Sequence, residues 1–443
     1  MKENLFGTDG IRSRAGSFPL DPASLRKWGA VIAHLTPDPA ILIARDTRVS
    51  GAAIEAQLGC GLGRRSRIAS AGVLPTSGLA YLTRKYHFDF GIMVSASHNP
   101  YRDNGIKIFN RRGEKISQLL EIKISTDFHA RKKTAASRPT SIGTVPGSDY
   151  QEFLHEHGRE LAGQKIKIAV DCANGAAASI TAPLCRSLGL NAAIGHARPD
   201  GRNINAGCGS TFPPALQKLV HDEKADLGIA FDGDADRVIF ADRGGRILQG
   251  DHALYLIARY LDAVEPRFNR KVVGTIMANL GLERALHAMG IEFLRAGVGD
   301  KHVFRMMKKS GAILGGEPSG HIILRQCQTT GDGFLTALFF MKALAFFRCD
   351  AEEILDQLHL FPQLTVNIPI RRRKDLKNWQ ALKLAARDFE ADNGEQARLL
   401  IRYSGTEPKL RIMMEARDPD VIEKNMPLFR SLIENEIGDQ HET

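Results

Sequence analysis

The sequence predicts an α/β protein of tandem domains of related design, and three observations carry that reading. First, an apolar, β-rich run leads into a polar turn ending in glycine and then into a helical segment. This happens in PAILIARDTRVSGAAIEAQLGCGL, in KIKIAVDCANGAAASITAPLCRSLGL and in RKVVGTIMANLGLERALHAMGI. A buried strand followed by a crossover helix is the building unit of an α/β sheet. Second, the turn residues Asp46, Asp171 and Ala278 lie much further apart than the about 20–50 residues of a solenoid repeat, so each run opens its own domain. Third, 443 residues suit two to four cores at about 100–200 residues per domain.

The limits of these domains follow from composition. The turn-rich RPTSIGTVPGSD precedes a helical segment, Tyr150 to Leu161, and closes a first domain at residue 149. Repeat phase places the next limit at Gly250. Phe361-Pro362 and the run Arg371 to Lys374 flank a strand-like LTVNIPI, which links into a separate C-terminal unit. The expected spans are 1–149, 150–249, 250–363 and 364–443.

Composition narrows the function. An apolar fraction of 43% with 25% charged residues is globular and excludes a fibrous or mostly disordered chain. The net charge of +10 admits an anionic partner without choosing one. The basic runs Arg131 to Lys133 and Arg371 to Lys374 lack interleaved aromatics for base stacking, so they read as solvated surface and no nucleic-acid partner is expected. The most apolar stretch, Leu335 to Phe347, is broken by Lys342 and too short to span a bilayer, and the N-terminus lacks an apolar leader, so no membrane partner is expected. The six cysteines form no CxxC pair, and their gaps resemble neither a zinc site nor a disulfide scaffold. A reducing cytoplasm fits this usage.

Four segments carry chemistry. In GIMVSASHNPYRDNGIKIF an apolar strand runs into Ser95, Ser97 and His98, where α/β sheets place ligand loops. A serine-hydrolase reading fails because GxSxG is absent. Neighbours on an extended chain also point to opposite faces, so His98 is expected to be poorly placed as a base for Ser97. In AFDGDADRVIF, Asp232, Asp234 and Asp236 alternate along a loop between apolar runs and can converge on one hard cation, with Arg237 beside them as a phosphate donor. An EF-hand is excluded, since loop position 12 is Arg243 and strands flank the loop. LGGEPSGHI offers Glu317 and Ser319 for sugar hydroxyls and His321 for a proton near neutral pH. In IRYSGTEPKLRIMMEA, Arg402, Ser404, the backbone of Gly405 and Thr406, and Arg411 form a compact set of anion donors. FGTDGIR and DTRVSG add Thr8, Arg12 and Arg48. Each segment alone also reads as an ordinary turn; their conjunction, one per expected domain, carries the argument.

FGTDGIRS, SASHNP with DNGIK downstream, DGDADR, GEPSGH and RYSGTEP resemble the five signature segments of the α-D-phosphohexomutases, in order and over essentially the whole chain. SASHNPYRDNGIK, the NIN and CGST pieces of Asn203 to Thr211, GTIMANLGLE and RYSGTEPKLR are most similar to the bacterial phosphoglucosamine mutase branch. The resemblance implies three related α/β units with mixed sheets, a smaller α+β C-terminal domain and an active site in the central cleft. It implies that Ser97 carries an activating phosphoryl group and that Asp232, Asp234 and Asp236 hold one Mg²⁺ together with the Ser97 phosphate, which Arg237 also touches. Lys107 and His321 match the acid/base groups and Arg12 the active-site arginine. Glu317 and Ser319 match the sugar loop, while Arg402, Ser404, Gly405, Thr406 and Arg411 match the site of the non-reacting phosphate. Lys301 stands where the branch has Arg, keeping the charge but losing the fork. Pro318 replaces its Gln, removing an amide beside the sugar-gripping pair.

The implied activity is an isomerase converting glucosamine 6-phosphate to glucosamine 1-phosphate through a 1,6-bisphosphate, in the supply of amino-sugar precursors of the cell wall. A phosphoglucomutase or phosphomannomutase, and a non-catalytic phosphosugar-binding relative, are the alternatives. The partner is a hexosamine phosphate, and the chain acts as a monomer or homodimer.

Overall fold

The computed structural model describes residues 4–63, 66–131, 142–404 and 408–438. It divides into two compact units, one of Met1–Met277 with Gly290–Gln357 and one of Ala278–Met289 with Leu358–Thr443.

The first unit holds three sheets. The first runs through β1 (Ile11–Arg14), α1 (Pro22–Ile32), β2 (Ala40–Arg45), α2 (Gly51–Leu62), β3 (Arg67–Val73), α3 (Thr76–Lys85), β4 (Phe90–Val94), β5 (Asp103–Asn110), α4 (Gln118–Ala130) and β6 (Ile142–Thr144). Its strand order is β1-β5-β4-β2-β3-β6. After α5 (Ser148–Gly158), the second contains β7 (Lys167–Asp171), α6 (Ala178–Leu188), β8 (Asn191–Gly195), α7 (Pro213–Glu223), β9 (Leu227–Phe231), β10 (Val238–Asp242) and β11 (Ile247–Leu248), ordered β11-β10-β9-β7-β8. The third follows α8 (Gly250–Val264). In chain order it has β12 (Lys271–Thr275), β13 (Glu292–Ala296), α10 (Asp300–Ser310), β14 (Leu314–Gly316), β15 (Ile322–Leu324), α11 (Gly333–Phe347) and α12 (Ala351–Gln357); α9 (Leu280–Ala288), between β12 and β13 in sequence, belongs to the second unit.

One four-strand plan recurs in all three sheets. The anticipated strand opens a parallel pair with the strand after its crossover helix: β2 with β3, β7 with β8, β12 with β13. A third parallel strand adds on the other side of the opening strand, as β4, β9 and β14. An antiparallel hairpin then supplies β5, β10 and β15. Apolar runs such as Ile41 to Ala44 and Leu227 to Phe231 are buried throughout, as strands covered on both faces require. The almost wholly apolar α11 is buried along most of its length, and its first turn is capped by Asp332, which accepts from the Leu335 N–H (3.0 Å). Among the described residues no helix is long and apolar enough to cross a membrane.

The second unit is an antiparallel sheet of β16 (Gln363–Pro369), β18 (Lys409–Ala416) and β17 (Ala397–Tyr403), backed by α13 (Gln380–Asn393) and α14 (Pro419–Ile437). It also takes α9, the crossover helix that repeat phase assigns to the third α/β domain. Local hydrogen bonds explain the grouping: the Asn279 side chain pairs with the backbone of Phe361 (2.8 and 3.0 Å), and Arg284 binds Glu395 (2.9 Å).

Candidate active site

The three chemistry-bearing loops of the first unit occupy one structural position. Ser97 lies between β4 and β5, the three aspartates between β9 and β10, and Glu317 to His321 between β14 and β15. Each loop leaves the C-terminal end of a parallel strand, where α/β sheets present their ligand residues.

The serine loop is fixed from below. Arg48 is fully buried, and its Nε binds Asp46 Oδ2 (2.9 Å) while the guanidinium donates to the carbonyls of Ser97 (2.8 Å), Asn99 (2.7 Å), Pro100 and Asp103 (3.1 Å). Asn205 Nδ2 donates to the same Ser97 and Asn99 carbonyls (2.9 and 3.1 Å). Ser95 Oγ donates to Asp46 Oδ2 (2.7 Å) and accepts from the Ser97 N–H (2.8 Å). This clamp holds Ser97 at φ 51°. The backbone is therefore left-handed, and the expectation that Ser97 and His98 diverge is corrected: Ser97 Oγ and His98 Nδ1 lie 3.3 Å apart. His98 is still no base for the serine. Burial, with Arg237 and Arg12 nearby, pushes its pKa down to about 4, and its Nδ1 accepts from Arg237 Nη1 (3.2 Å). The Ser97 hydroxyl donates instead to Asp232 Oδ2 (2.6 Å).

Asp232, Asp234 and Asp236 are buried and turn inward together, each offering an oxygen within 4.8 Å of the others. The loop is a tight turn with Ala235 at φ 54°, not the extended segment that alternation suggests. Burial, then repulsion from Asp236 and Asp234, pushes Asp232 up to about 8. Burial also disfavours the Asp236 carboxylate, but Lys107 and His321 outweigh it and hold that group well below the usual range. Lys107 Nζ reaches Asp234 (2.8 Å), Asp236 (2.9 Å) and Asp9 (3.1 Å); against the cost of burial, these carboxylates keep it protonated. Thr76 Oγ1 donates to Asp234 Oδ2 (2.6 Å), so the start of α3 also fixes the loop.

The third loop brings His321 to the acids. Its Nε2 accepts from the Gly331 N–H (3.0 Å), which leaves the proton on Nδ1, facing Asp236 Oδ1 at 3.7 Å. Glu317 is oriented by the Gly299 N–H (3.0 Å) and Ser319 is exposed. Gly320 sits at φ +87°, where a Cβ would strike the Val238 backbone, so the turn requires glycine. Pro318 contributes its carbonyl, which accepts from the Gly250 N–H (3.0 Å). Lys301, which the family resemblance places on the substrate side, is engaged by Glu121.

Several groups escaped sequence reasoning. Asp9 bridges Arg12, Lys107 and Lys115, and Lys115 passes to Asp300 (2.5 Å). Arg12 also reaches Asn99 Oδ1 (3.4 Å). Asp9 stands three residues before Arg12 inside FGTDGIR, which was a usable signal; Lys115 and Asp300 carry none.

In the second unit, Arg402 and Arg411 face each other across β17 and β18. Like charges directly opposed across a ladder repel, and burial, then Arg411, lowers the Arg402 pKa. Ser404 is buried, donating its N–H to the Lys409 carbonyl (2.8 Å) and accepting from Arg373 (3.1 Å). Gly405 and Thr406 lie outside the described residues.

Four descriptions of one family match in succession: phosphoglucomutase/phosphomannomutase alpha/beta/alpha domain I over residues 3–135, domain II over 148–245, domain III over 249–361 and the C-terminal domain over 366–427. A phosphoglucosamine mutase of Koribacter versatilis is 41% identical, covering 98% of this chain and 97% of that one, and one of Thermus thermophilus is 43% identical, covering 93% and 94%. The chain belongs to the α-D-phosphohexomutase family. A Burkholderia thailandensis phosphoglucomutase/phosphomannomutase family protein shares the phosphohexomutase fold (TM-score 0.81, 22% identity, 98% of this chain and 99% of that one). So does an Aspergillus fumigatus N-acetylphosphoglucosamine mutase in complex with GlcNAc-6P and magnesium (TM-score 0.70, 17% identity, 97% and 95%).

The residues present fit a magnesium ion of the kind that phosphohexomutase holds. Among the described residues, Asp234 Oδ1 and Asp236 Oδ1 are buried oxygens without a hydrogen-bond partner, and three carboxylates give the all-oxygen donor set a hard cation takes.

Proposed function

We propose that this phosphohexomutase interconverts glucosamine 6-phosphate and glucosamine 1-phosphate, with Ser97 as phosphoryl carrier. The observation that carries the reading is the Ser97 hydroxyl resting on Asp232, one of three converging buried aspartates. The near-full-length relatives named phosphoglucosamine mutase support the substrate. Asp232, Asp234 and Asp236 would hold Mg²⁺, which supplies charge neutralisation at the phosphoryl oxygens.

The residues of the chain do the rest. Phosphorylated Ser97 gives its phosphoryl group to the free sugar hydroxyl: the Oγ–P bond breaks, a new O–P bond forms, and His321 takes the hydroxyl proton, while Lys107, held protonated by the carboxylates, is the acid of the pair. The product is a 1,6-bisphosphate. After the sugar turns around, its other phosphate faces Ser97, the group returns, and the proton is given back. Arg12 and Arg237 neutralise the moving phosphate, Glu317 and Ser319 grip hydroxyls, and Arg402, Ser404, Gly405, Thr406 and Arg411 hold the phosphate that is not reacting. Lys301 would join the substrate side on release from Glu121. The assignment includes the domain spans 1–149, 150–249, 250–363 and 364–443, and a cytoplasmic monomer or homodimer.

The test is transfer of labelled phosphorus from a hexose 1,6-bisphosphate. Label should appear on the peptide bearing Ser97 and be absent in Ser97→Ala; no labelling, or equal labelling in the variant, overturns the reading. Parallel turnover of glucosamine, glucose and mannose 6-phosphates decides the substrate, and equal or faster reaction of either neutral sugar would reassign it.

A further inference from the structure

The turn after β7 and the segment Asn203 to Thr211 supply Asn205 to the serine loop, and they also assemble a second donor cluster. Parallel pairing sets Asp171 opposite Gly195, so His196 stands one residue beyond the end of β8, beside the carboxylate. Asp171 Oδ2 lies 3.1 Å from His196 Nδ1, and Cys208 completes a set whose ligand atoms all lie within 4.8 Å of one another.

The surroundings orient each donor. Asp171 is fully buried, and its Oδ1 and Oδ2 accept from the N–H groups of Ala173 (2.8 Å) and Gly209 (2.8 Å). Asn174 Nδ2 donates to Cys208 Sγ (3.8 Å), while the Asn174 Oδ1 accepts from the Arg198 N–H (3.1 Å). Hydrogen bonds of this kind behind the donors fix ligand geometry in metal sites. Asp171 and Cys208 are wholly buried, whereas the His196 side chain is 37% exposed and opens the cluster to solvent. A buried carboxylate calls for a counter-charge, and among the described residues Asp171 is paired only with an imidazole, which is charged only when protonated.

We propose that Asp171, His196 and Cys208 form a second cation site, for Zn²⁺ or another thiophilic divalent ion. One carboxylate, one imidazole and one thiolate match the mixed oxygen, nitrogen and sulfur set of zinc, about 2.0–2.3 Å from each donor, and leave a fourth position for water. Magnesium, which prefers oxygen donors alone, is left to the aspartate loop. Burial, with Asp171 close by, pushes the Cys208 thiol up to about 12, so the proton on Sγ leaves for solvent as the metal–sulfur bond forms.

The experiment titrates the full-length protein with Co²⁺ as a spectroscopic stand-in for zinc, with magnesium in excess to fill the aspartate loop. A thiolate-to-cobalt charge-transfer band should rise and saturate at one equivalent. Cys208→Ser should abolish it. His196→Asn, which tolerates the left-handed backbone at φ 46°, should weaken cobalt binding by at least about tenfold. Asp234→Asn should leave the band intact, because that loop has no sulfur. Absence of the band, its survival in Cys208→Ser, or unaltered affinity in His196→Asn overturns the proposal. None of these outcomes bears on phosphoryl transfer at Ser97.

Discussion

Arg48→Lys is the sharpest perturbation of the serine loop. All five guanidinium N–H groups of Arg48 are engaged, one by Asp46 and four by the carbonyls of Ser97, Asn99, Pro100 and Asp103. Lysine keeps the charge beside buried Asp46 but has only three N–H donors on one nitrogen, so two acceptors at least lose their partner. A buried acceptor left unmade costs about 1–3 kcal/mol. Asn205 also serves two of the four carbonyls, which places the total at the low end, near about 2 kcal/mol by the same scale. That corresponds to a roughly thirtyfold rise in local opening. Hydrogen exchange at the Ser97, Asn99 and Asp103 amides should accelerate by this factor while the strands of the same sheet keep their protection. Adding Asn205→Ala should cost more than the sum of the two single changes, by at least about 0.5 kcal/mol. Wild-type exchange in Arg48→Lys, or strict additivity in the double variant, would refute the clamp.

Further outcomes follow from the same contacts. Magnesium at about a hundred times its dissociation constant should stabilise the protein by about 2.7 kcal/mol in thermal denaturation, and Asp234→Asn should remove most of that gain; an equal gain in the variant would place the ion elsewhere. Tyr150→Phe deletes the hydroxyl that donates to buried Asp332 (2.9 and 3.0 Å). It should lower stability by about 1–3 kcal/mol, and an unchanged melting point would contradict that contact. Burial holds His252 at about 4 against its ordinary 6.5, so the folded state binds its proton less readily than the unfolded chain. This contribution is complete above pH 6.5 and is lost as pH falls toward 4, by about 1.4 kcal/mol per unit. Replacing His252 with Gln should flatten that part of the stability profile, and an identical acid slope would exclude it as the cause.

Local chemistry made much of the site legible. Asp232, Asp234 and Asp236 lie within five consecutive positions, and Ser97 follows an apolar strand, so both could be named from the chain alone. The backbone angle at Ser97 could not be read this way, because Arg48 and Asn205 impose it from distant segments. The same limit hid Asp9, Lys115 and Asp300, whose significance lies in which charges they face. It also hid the cluster of Asp171, His196 and Cys208, since no residue spacing announces donors from two paired strand ends and a separate loop.

Strand, turn and helix repeats and the chemical groups on each loop could be read from the residues in order, because hydrophobic period, glycine turns and functional side chains are local properties. Tertiary structure decided that the three loops share one position in a repeated sheet, that Lys107 lies among the aspartates and that α9 joins the C-terminal unit. Those outcomes depend on strand pairing, on hydrogen bonds between remote segments and, for Lys107, on the neutralisation of buried charge, and all of these exist only once the sheets have formed.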